Sequence, residues 1–258
     1  MDKLSVIKVG GKIVEDEETL QQFLVDFSTI EGSKILVHGG GSLATKVATQ
    51  LGIESRMIDG RRITDEETLK VVTMVYAGWV NKRIIARLQA LGINALGLTG
   101  ADLNLIRSVK RPVQPIDYGF VGDIEDVDAS MLAKLLLQHL VPVMSPLTHD
   151  MKGNLLNTNA DTIAAEVAVA LTGFFEVTLI YCFEKNGVLR NEKDEESVIP
   201  LIDRKMFMQY KEQGVIQGGM IPKVENAFRA IDAGANKIVI TKASDIHGNK
   251  GTVIQNCL

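Results

Sequence analysis

The sequence predicts an α/β fold with a mainly parallel central sheet. Short apolar runs alternate with amphipathic helical segments along most of the 258 residues, as in repeated strand–helix–strand units. The first two apolar runs each end in a glycine-rich turn, at Gly10-Gly11 and at Gly39-Gly40-Gly41. Gly10 and Gly39 are 29 residues apart, which is enough for one strand, one crossover helix and the next parallel strand. We therefore expect both turns at the same edge of the sheet.

Each strand and helix follows from its own hydrophobic pattern. Short apolar runs without alternation predict strands that are buried on both faces. These runs occupy residues 4–9, 34–37, 95–98, 141–144, 177–181 and 237–241. Apolar residues at helical spacing, often with an acidic or capping residue at the start, predict helices. These segments occupy residues 16–30, 42–51, 64 to about 91, 128–140, 160–171, 203–213 and 222–233.

Residues 103–126 interrupt this alternation. Short β-prone runs alternate there with proline and glycine, which predicts β-hairpins that form a lid over the edge of the sheet. Upstream, Thr64-Asp65-Glu66-Glu67 matches a capping box and predicts the start of a long helix. No linker divides the chain clearly. A loose boundary near Leu171 predicts an N-terminal lobe, residues 1–171, and a C-terminal lobe, residues 172–258, that share one sheet.

Composition narrows the possible function classes. The net charge is −4, and no basic stripe with interleaved aromatic residues is present, so we expect no nucleic-acid partner. No apolar run approaches the ~18 residues of a membrane span, and the start of the chain lacks a signal-peptide pattern. Cys182 and Cys257 have no metal-ligand or disulfide spacing, which favours a reducing, cytoplasmic location.

Lysines near two glycine turns indicate chemistry on phosphate. Lys8 lies at the predicted end of the first strand, where ligands bind in open α/β sheets, although a lysine there can also simply cap an exposed strand end. Gln217-Gly218-Gly219 precedes a helix that carries Lys223 in its first turn. The positive end of a helix disfavours a second cation, so Lys223 needs a counter-charge such as bound phosphate. Two such lysines with glycine amides are typical of phosphoryl transfer.

Two further segments favour an acceptor that carries a carboxylate. Arg61-Arg62 precedes the long helix, and arginine can bind a carboxylate with two hydrogen bonds; we expect one of the two to be only a solvated basic turn. Asn157-Thr158-Asn159-Ala160-Asp161 opens another helix. Asn157 or Asn159 can merely cap that helix and Asp161 merely favour its dipole, but two amides and an acid can also orient a ligand.

A nicotinamide-dependent oxidoreductase is the alternative from a different class. The run from Gly39 to Ala44 matches G-x-G-x-x-A, and Asp59 lies 20 residues after Gly39, where a ribose-binding acid belongs. This alternative predicts a third strand that ends at Asp59. It places the fingerprint on the second strand, however, and leaves Lys8 without a role. His38, just before the turn, can be catalytic, although a histidine at a strand end is more often structural.

Six motifs in this order resemble the amino acid kinase family over nearly the whole chain. They are Lys8-Val9-Gly10-Gly11, His38-Gly39-Gly40-Gly41, Asp59-Gly60-Arg61-Arg62-Ile63-Thr64, Tyr118-Gly119-Phe120-Val121-Gly122-Asp123-Ile124, Asn157-Thr158-Asn159-Ala160-Asp161 and Gly218-Gly219-Met220-Ile221-Pro222-Lys223-Val224. The resemblance implies a three-layer α-β-α sandwich. It also implies ATP-dependent phosphorylation of the γ-carboxylate of N-acetyl-L-glutamate, or of a close N-acyl-glutamate such as N-succinyl, in the second step of arginine biosynthesis. A homodimer and Mg²⁺ held mainly by the ATP phosphates, without a protein metal-ligand cluster, are implied as well.

The resemblance assigns roles to individual residues. The implied catalytic residues are Lys8 and Lys223, which would stabilise the transferring phosphoryl group, and Asp161, which would orient the lysines. The implied acceptor-binding residues, in the N-terminal lobe, are Gly40, Gly41, Arg62 and Asn157. The implied ATP-binding residues are Gly10, Gly11, Gly187, Val188, Gln217 and Gly219, with the nucleotide mainly on the C-terminal lobe.

Two departures from the family pattern bear on these expectations. Cys182-Phe183-Glu184-Lys185 stands where the family usually has a short Ser/Thr-Asp turn that touches the nucleotide, which leaves the ATP contacts of this stretch open. Leu103 follows Asp102 where glycine is common, in the lid near the acyl group, which favours an acyl group larger than acetyl. The motifs are also compatible with a sister kinase of glutamate, aspartate, carbamate or UMP, and with a non-catalytic ligand sensor on the same fold.

Overall fold

The computed structural model of the chain describes residues 1–58, 60–191, 193–218 and 220–256. Asp59, Gly219 and Cys257, which carry expectations from the sequence, lie outside the described residues. The strands are β1 (Lys3–Val9), β2 (Ser33–His38), β3 (Met57–Ile58), β4 (Arg61–Arg62), β5 (Ala95–Leu98), β6 (Ile106–Lys110), β7 (Gly122–Val127), β8 (Val141–Met144), β9 (Leu147–His149), β10 (Leu155–Asn157), β11 (Glu176–Phe183), β12 (Leu201–Ile202), β13 (Lys237–Lys242) and β14 (Thr252–Ile254). The α-helices are α1 (Gly11–Glu15), α2 (Glu17–Ser28), α3 (Gly41–Gln50), α4 (Glu66–Thr73), α5 (Asn81–Ala90), α6 (Ala129–Leu137), α7 (Ala160–Ala170), α8 (Arg204–Glu212) and α9 (Met220–Asp232).

The central sheet of the described residues has eight strands, in the order β12-β14-β13-β11-β1-β2-β8-β5. Neighbouring strands are parallel in every pair except β13–β14, which confirms the mainly parallel α/β fold. Val9 at the end of β1 is paired with His38 on one side and with Cys182 on the other. The turns that follow β1, β2 and β11 therefore leave the same edge of the sheet side by side.

The central sheet separates two hydrophobic cores. Successive side chains of a strand point to opposite faces, so Val6 lies in one core and Ile7 in the other. The helices α6, α7 and α9 cover the first face, and α2, α3, α4 and α5 cover the second. Representative core residues of these helices are Leu132, Ile163 and Val224 on the first face, and Phe23, Ala44, Val71 and Ile84 on the second. This arrangement confirms the three-layer sandwich.

A smaller sheet, in the order β10-β9-β6-β7, lies over the edge of the central sheet. The antiparallel pair β6–β7 is one hairpin within residues 103–126, and β9–β10 is a second hairpin that the sequence did not predict. The two hairpins are joined by the pairing of Arg107 with His149. The β character of the expected lid is therefore confirmed, although half of its sheet comes from residues 147–157.

The long helix differs from its prediction in two respects. Asp65 rather than Thr64 caps α4, because the Asp65 carboxylate accepts a hydrogen bond from the Thr68 backbone at 2.8 Å. The Thr64 hydroxyl instead donates to the Arg62 carbonyl at 3.0 Å. A π-helical stretch, Met74–Val80, also lies between α4 and α5. Such a stretch changes the direction of the side chains that follow it, and its Tyr76 lies at the edge where the strands end.

The last quarter of the chain contains two short strands that the sequence did not predict. β12 and β14 have two and three residues and extend the sheet beyond β13. Such short runs carry too few residues for a hydrophobic period to be visible. None of the helices described above combines the length and apolar character needed to cross a membrane.

Candidate active site

The two glycine turns pack directly against each other. A Cβ atom on Gly39 would lie 3.1 Å from the Gly11 nitrogen, and one on Gly11 would lie 3.2 Å from the Gly40 nitrogen. At Gly10 a Cβ atom would meet its nearest neighbour, the Cys182 carbonyl oxygen, at 3.7 Å, which is an ordinary contact. A side chain at Gly11 or Gly39 would therefore be in tight contact with the backbone of the other turn, which favours glycine at both positions, and α3 begins immediately after that approach, at Gly41.

Lys8 and Asp161 form a partly buried ion pair beside these turns. Lys8 Nζ lies 2.7 Å from Asp161 Oδ1, and the two side chains are 10% and 22% exposed. Asp161 is in the first turn of α7, where Asn159 is the N-cap and accepts hydrogen bonds from the Asp161 and Thr162 backbones. The expected capping role of Asn159 is thus confirmed, whereas the carboxylate of Asp161 serves Lys8 as well as the helix dipole.

Lys223 approaches the same place from the C-terminal part of the chain. Its Nζ atom lies 3.6 Å from the centre of the Phe183 ring, and Lys8 Nζ lies 5.3 Å from that centre. Burial lowers the pKa of Lys223, and the charge of Lys8 lowers it further, whereas Asp161 and Glu184 raise it. The structure therefore brings together the three residues expected to be catalytic, around an aromatic ring that the sequence did not single out.

A cleft at the edge of the sheet brings together the four expected acceptor-binding residues. It is open to solvent, has a cavity volume of about 200 Å³ and is lined in part by Gly40, Gly41, Arg62 and Asn157. Asn159 and Ala160 also line it. Asp161, the partner of Lys8, follows Ala160 directly, so the cleft adjoins the two lysines.

Arg62 and Asn157 are each held in position by hydrogen bonds. The Arg62 guanidinium donates to the Gly41 carbonyl at 2.7 Å, to Thr45 Oγ1 at 2.8 Å and to Ser55 Oγ at 2.8 Å. Asn157 Nδ2 donates to Thr64 Oγ1 at 3.0 Å. These bonds engage three of the five N–H groups of the guanidinium, and the Tyr76 hydroxyl is a further partner: burial raises the pKa of Tyr76, and the charge and hydrogen bond of Arg62 oppose that rise. Arg62 is 6% exposed, and Arg61 is the exposed member of the arginine pair.

Several residues of the cleft were not identified from the sequence. Tyr76 lies beneath Gly40, where a Cβ atom would be 3.0 Å from its ring. Arg111 and Asp123, on the β6–β7 hairpin, form an ion pair at the rim of the cleft. Asp123 raises the pKa of Arg111 by hydrogen bonding. The position of Tyr76 depends on the π-helical stretch, for which the sequence carries no recognised signal, whereas Asp123 stood within a quoted motif without an assigned role.

The residues expected to bind the nucleotide from the C-terminal part of the chain do not share one environment. A Cβ atom on Gly187 would lie 2.7 Å from Thr252 Oγ1. The Val188 backbone donates to Thr252 Oγ1 and accepts from Ile199, both at 2.8 Å, and its side chain is buried. Gln217 is exposed just before α9. Gly187 and Val188 therefore fix the loop after β11 against β14, while Gly219 lies outside the described residues.

His38 is structural, which was the favoured of the two interpretations. It is fully buried, its Nδ1 lies 2.8 Å from the Gly39 carbonyl oxygen and its Nε2 lies 3.1 Å from Asn81 Nδ2. The carbonyl can only accept and the amide nitrogen can only donate, so Nδ1 carries the proton. Burial lowers the pKa of His38 to about 4, and the ring is therefore neutral near pH 7.

Two further expectations lose their structural basis. The dinucleotide interpretation requires a third strand of the main sheet before Asp59, but β3 is paired with β4 in a separate two-stranded sheet. The expectation of a larger acyl group depended on Leu103, which is 52% exposed and is not among the residues that line the cleft. In the described part of the chain no cluster of three His, Cys, Asp or Glu side chains could hold a metal ion.

Known proteins resemble this chain over nearly its whole length. The model of the amino acid kinase family matches residues 3–242. An acetylglutamate kinase of Parabacteroides distasonis is 68% identical over 252 residues, which cover 98% of this chain and 99% of that protein. An acetylglutamate kinase of Bacteroides thetaiotaomicron is 68% identical over 254 residues, with 98% and 99% covered. The crystal structure of smu.665 from Streptococcus mutans has a TM-score of 0.79 and 25% identity, with 98% of both chains covered. The chain belongs to the amino acid kinase family.

Proposed function

We propose that this chain transfers the γ-phosphoryl group of ATP to the γ-carboxylate of N-acetyl-L-glutamate, the second step of arginine biosynthesis. The observation that carries the proposal is the convergence of Lys8 and Lys223 at the end of a cleft lined by Arg62 and Asn157. Relatives that are 66–68% identical over 98% of the chain are acetylglutamate kinases. At that identity, over a full-length match, the same reaction is the function best supported.

The chemistry follows from the charges at the site. A γ-carboxylate with a pKa of about 4.3 is ionised near neutral pH and needs no base. One of its oxygens attacks the γ-phosphorus of ATP while the bond to the β,γ-bridging oxygen breaks, which yields an acyl phosphate and ADP. The ammonium groups of Lys8 and Lys223 stabilise the charge on the transferring group. Asp161 orients Lys8 through the ion pair and takes no proton from the acceptor.

The acceptor is held at its other end. The Arg62 guanidinium, which is held in place by Gly41, Thr45 and Ser55, binds the α-carboxylate, and Asn157 contacts the amide end of the substrate. The backbone of Gly40 and Gly41 completes this side of the cleft. The contacts to ATP come from Gly10, Gly11, Gln217 and Gly219. Gly187 and Val188 support the nucleotide side of the site by fixing the loop that follows β11. Mg²⁺ enters as the MgATP complex, held mainly by the ATP phosphates.

We further propose that the chain works in the cytoplasm, where ATP is available, and forms a homodimer. β5 is an edge strand of the eight-stranded sheet, and Trp79, on the helix that continues into the neighbouring α5, is 61% exposed. Such an edge with nearby exposed apolar surface is suited to pairing with a second copy. Sedimentation equilibrium should give twice the 28.2 kDa mass of the chain; a monomer at micromolar concentration contradicts this.

A substrate panel tests the proposed reaction. ADP release should be fastest with N-acetyl- or N-succinyl-L-glutamate and slower by at least 100-fold with free glutamate, aspartate, carbamate or UMP. The ratio of kcat/KM for the two acylated substrates decides between the acyl groups, and a clear preference for acetyl rules out succinyl. Highest kcat/KM with an unacylated acceptor, or no turnover of any acceptor, would contradict the proposal.

A further inference from the structure

Phe183 is the aromatic ring at which the two lysines converge. It is the last residue of β11 and takes part in the parallel pairing with β13, opposite Lys242. Its ring centre is 3.6 Å from Lys223 Nζ and 5.3 Å from Lys8 Nζ. Lys8 belongs to β1 and Lys223 to α9, so one ring contacts cations from two elements that are far apart in the sequence.

The ring itself is held firmly. Tyr181, two residues earlier on the same face of β11, stacks on Phe183 with ring centres 6.1 Å apart and an angle of 14° between the rings. The Tyr181 hydroxyl lies 3.3 Å from the Asp161 backbone oxygen, to which it donates. Phe183 is thus connected through Tyr181 to the start of α7, which also carries the carboxylate that pairs with Lys8. The ring has little freedom to leave the lysines.

An aromatic ring at this place has a different effect from a carboxylate. The face of an aromatic ring carries partial negative charge and attracts an ammonium group within about 6 Å of its centre. A carboxylate would attract the lysines more strongly, but its full negative charge would oppose the phosphoryl group that passes the site. The ring fixes an ammonium group and leaves its positive charge available to the substrate.

We propose that Phe183 is a positioning residue, which holds Lys223, and through the same ring Lys8, directed at the transferring phosphoryl group. This inference rests on the proposed kinase function for its catalytic consequence. The charged groups that face Lys223 are Asp161, Lys8 and Glu184. None of them contacts Lys223 as closely in the described structure as the Phe183 ring does, so loss of the ring releases the lysine.

The test compares variants with and without a ring. Phe183→Leu and Phe183→Met should lower kcat about tenfold and leave the KM for ATP within about twofold, because the lysine acts in the transition state. Phe183→Tyr and Phe183→Trp keep the ring and should restore most of kcat. Phe174→Leu makes the same change at a half-exposed position and controls for a general effect on packing.

NMR of ¹³C-lysine-labelled protein provides a readout that does not depend on catalysis. The ε-CH₂ protons of Lys223, assigned with Lys223→Arg, should be shifted upfield by the ring in wild type and in Phe183→Tyr, and should return to the ordinary lysine position in Phe183→Leu. A higher KM for ATP with unchanged kcat in Phe183→Leu would overturn the proposal, since the ring would then bind nucleotide. An unshifted Lys223 signal in wild type would also overturn it. A shifted signal in an inactive wild type would refute the kinase function alone and leave the ring contact standing.

Discussion

Lys8 and Lys223 are held by different physical means, although we assign them to the same phosphoryl group. Lys8 has a carboxylate partner at 2.7 Å, whereas Lys223 lies in a buried position against an aromatic ring at 3.6 Å. The second environment disfavours the charged form of lysine. The protonation of Lys223 therefore depends on its surroundings and on bound phosphate.

This difference predicts a pH dependence. Burial lowers the pKa of Lys223, and only the protonated ammonium group can stabilise the phosphoryl charge. As pH rises through this lowered pKa, kcat/KM should therefore fall, starting at a lower pH than for an exposed lysine of pKa about 10.4. The Lys223→Arg variant should reach a lower maximum kcat/KM. Its kcat/KM should not fall in this alkaline range, because arginine stays protonated. The same alkaline limb in Lys223→Arg would assign the limb to another group.

The sequence identified most of these residues by residue type and by the order of their motifs. It did not identify the Phe183 ring that both lysines approach, or the pairing of Arg111 with Asp123. Lys8, Asp161 and Lys223 each lie in a recognisable motif, so we could expect the three side chains to come together at one site. Phe183 could not be expected there, because a hydrophobic residue at a strand end predicts only burial. The ion pair of Arg111 with Asp123 depends on the register of a hairpin, which is fixed by pairing between strands and not by either local segment.

At the level of elements, the site depends on two turns that touch each other. Gly11 and Gly39 stand where β1 and β2 leave the sheet in register, and a Cβ atom at either position would be in tight contact with backbone of the other turn. This contact aligns the start of α3 with the end of β1. The Gly10 and Gly39 amides donate to the Cys182 and Val9 carbonyls. The packing of the turns brings the backbones of Gly11, Gly40 and Gly41 together at the starts of α1 and α3, and helix starts of this kind favour phosphate oxygens.

Alanine substitutions at three glycines test that contact. Gly11→Ala and Gly39→Ala place a Cβ atom 3.2 Å and 3.1 Å from backbone nitrogen, so each should lower the free energy of unfolding by about 1–3 kcal/mol and reduce kcat/KM at least tenfold. Gly10→Ala is the matched control for stability, since its Cβ contact is 3.7 Å and its φ of −71° suits alanine. Equal unfolding midpoints in urea for all three variants would contradict the account.

Elements with a long hydrophobic period were predicted well, and short or irregular ones were not. The helices that became α2, α3, α6 and α7 begin and end within a few residues of their predictions, and so do six of the eight strands of the central sheet. β9, β10, β12 and β14 have only two or three residues each, and their formation depends on tertiary pairing. The π-helical stretch was likewise not predicted, and its Tyr76 packs against Gly40 of the second glycine turn.

On the scale of the whole molecule, the site draws on residues from both predicted lobes. β1 and β11, which carry Lys8 and Phe183, are neighbours at the centre of one continuous sheet. The acceptor cleft lies on the side of β2 and the lid, and Lys223 arrives from α9 on the other side. Phosphoryl transfer from ATP to the acceptor is the function that this layout serves best. The location of the boundary at residue 171 stays a prediction.

The most direct test of the central claim is to trap the product with hydroxylamine. Hydroxylamine converts an acyl phosphate into a stable hydroxamate, which can be quantified with wild type, Lys8→Met, Lys223→Met and the exposed control Lys70→Met. Wild type and Lys70→Met should form hydroxamate only when both ATP and an N-acyl-L-glutamate are present. Lys8→Met and Lys223→Met should lower kcat by a factor on the order of 10²–10⁴ with little change in KM. No hydroxamate from wild type, or a change in KM alone in both lysine variants, would contradict the account.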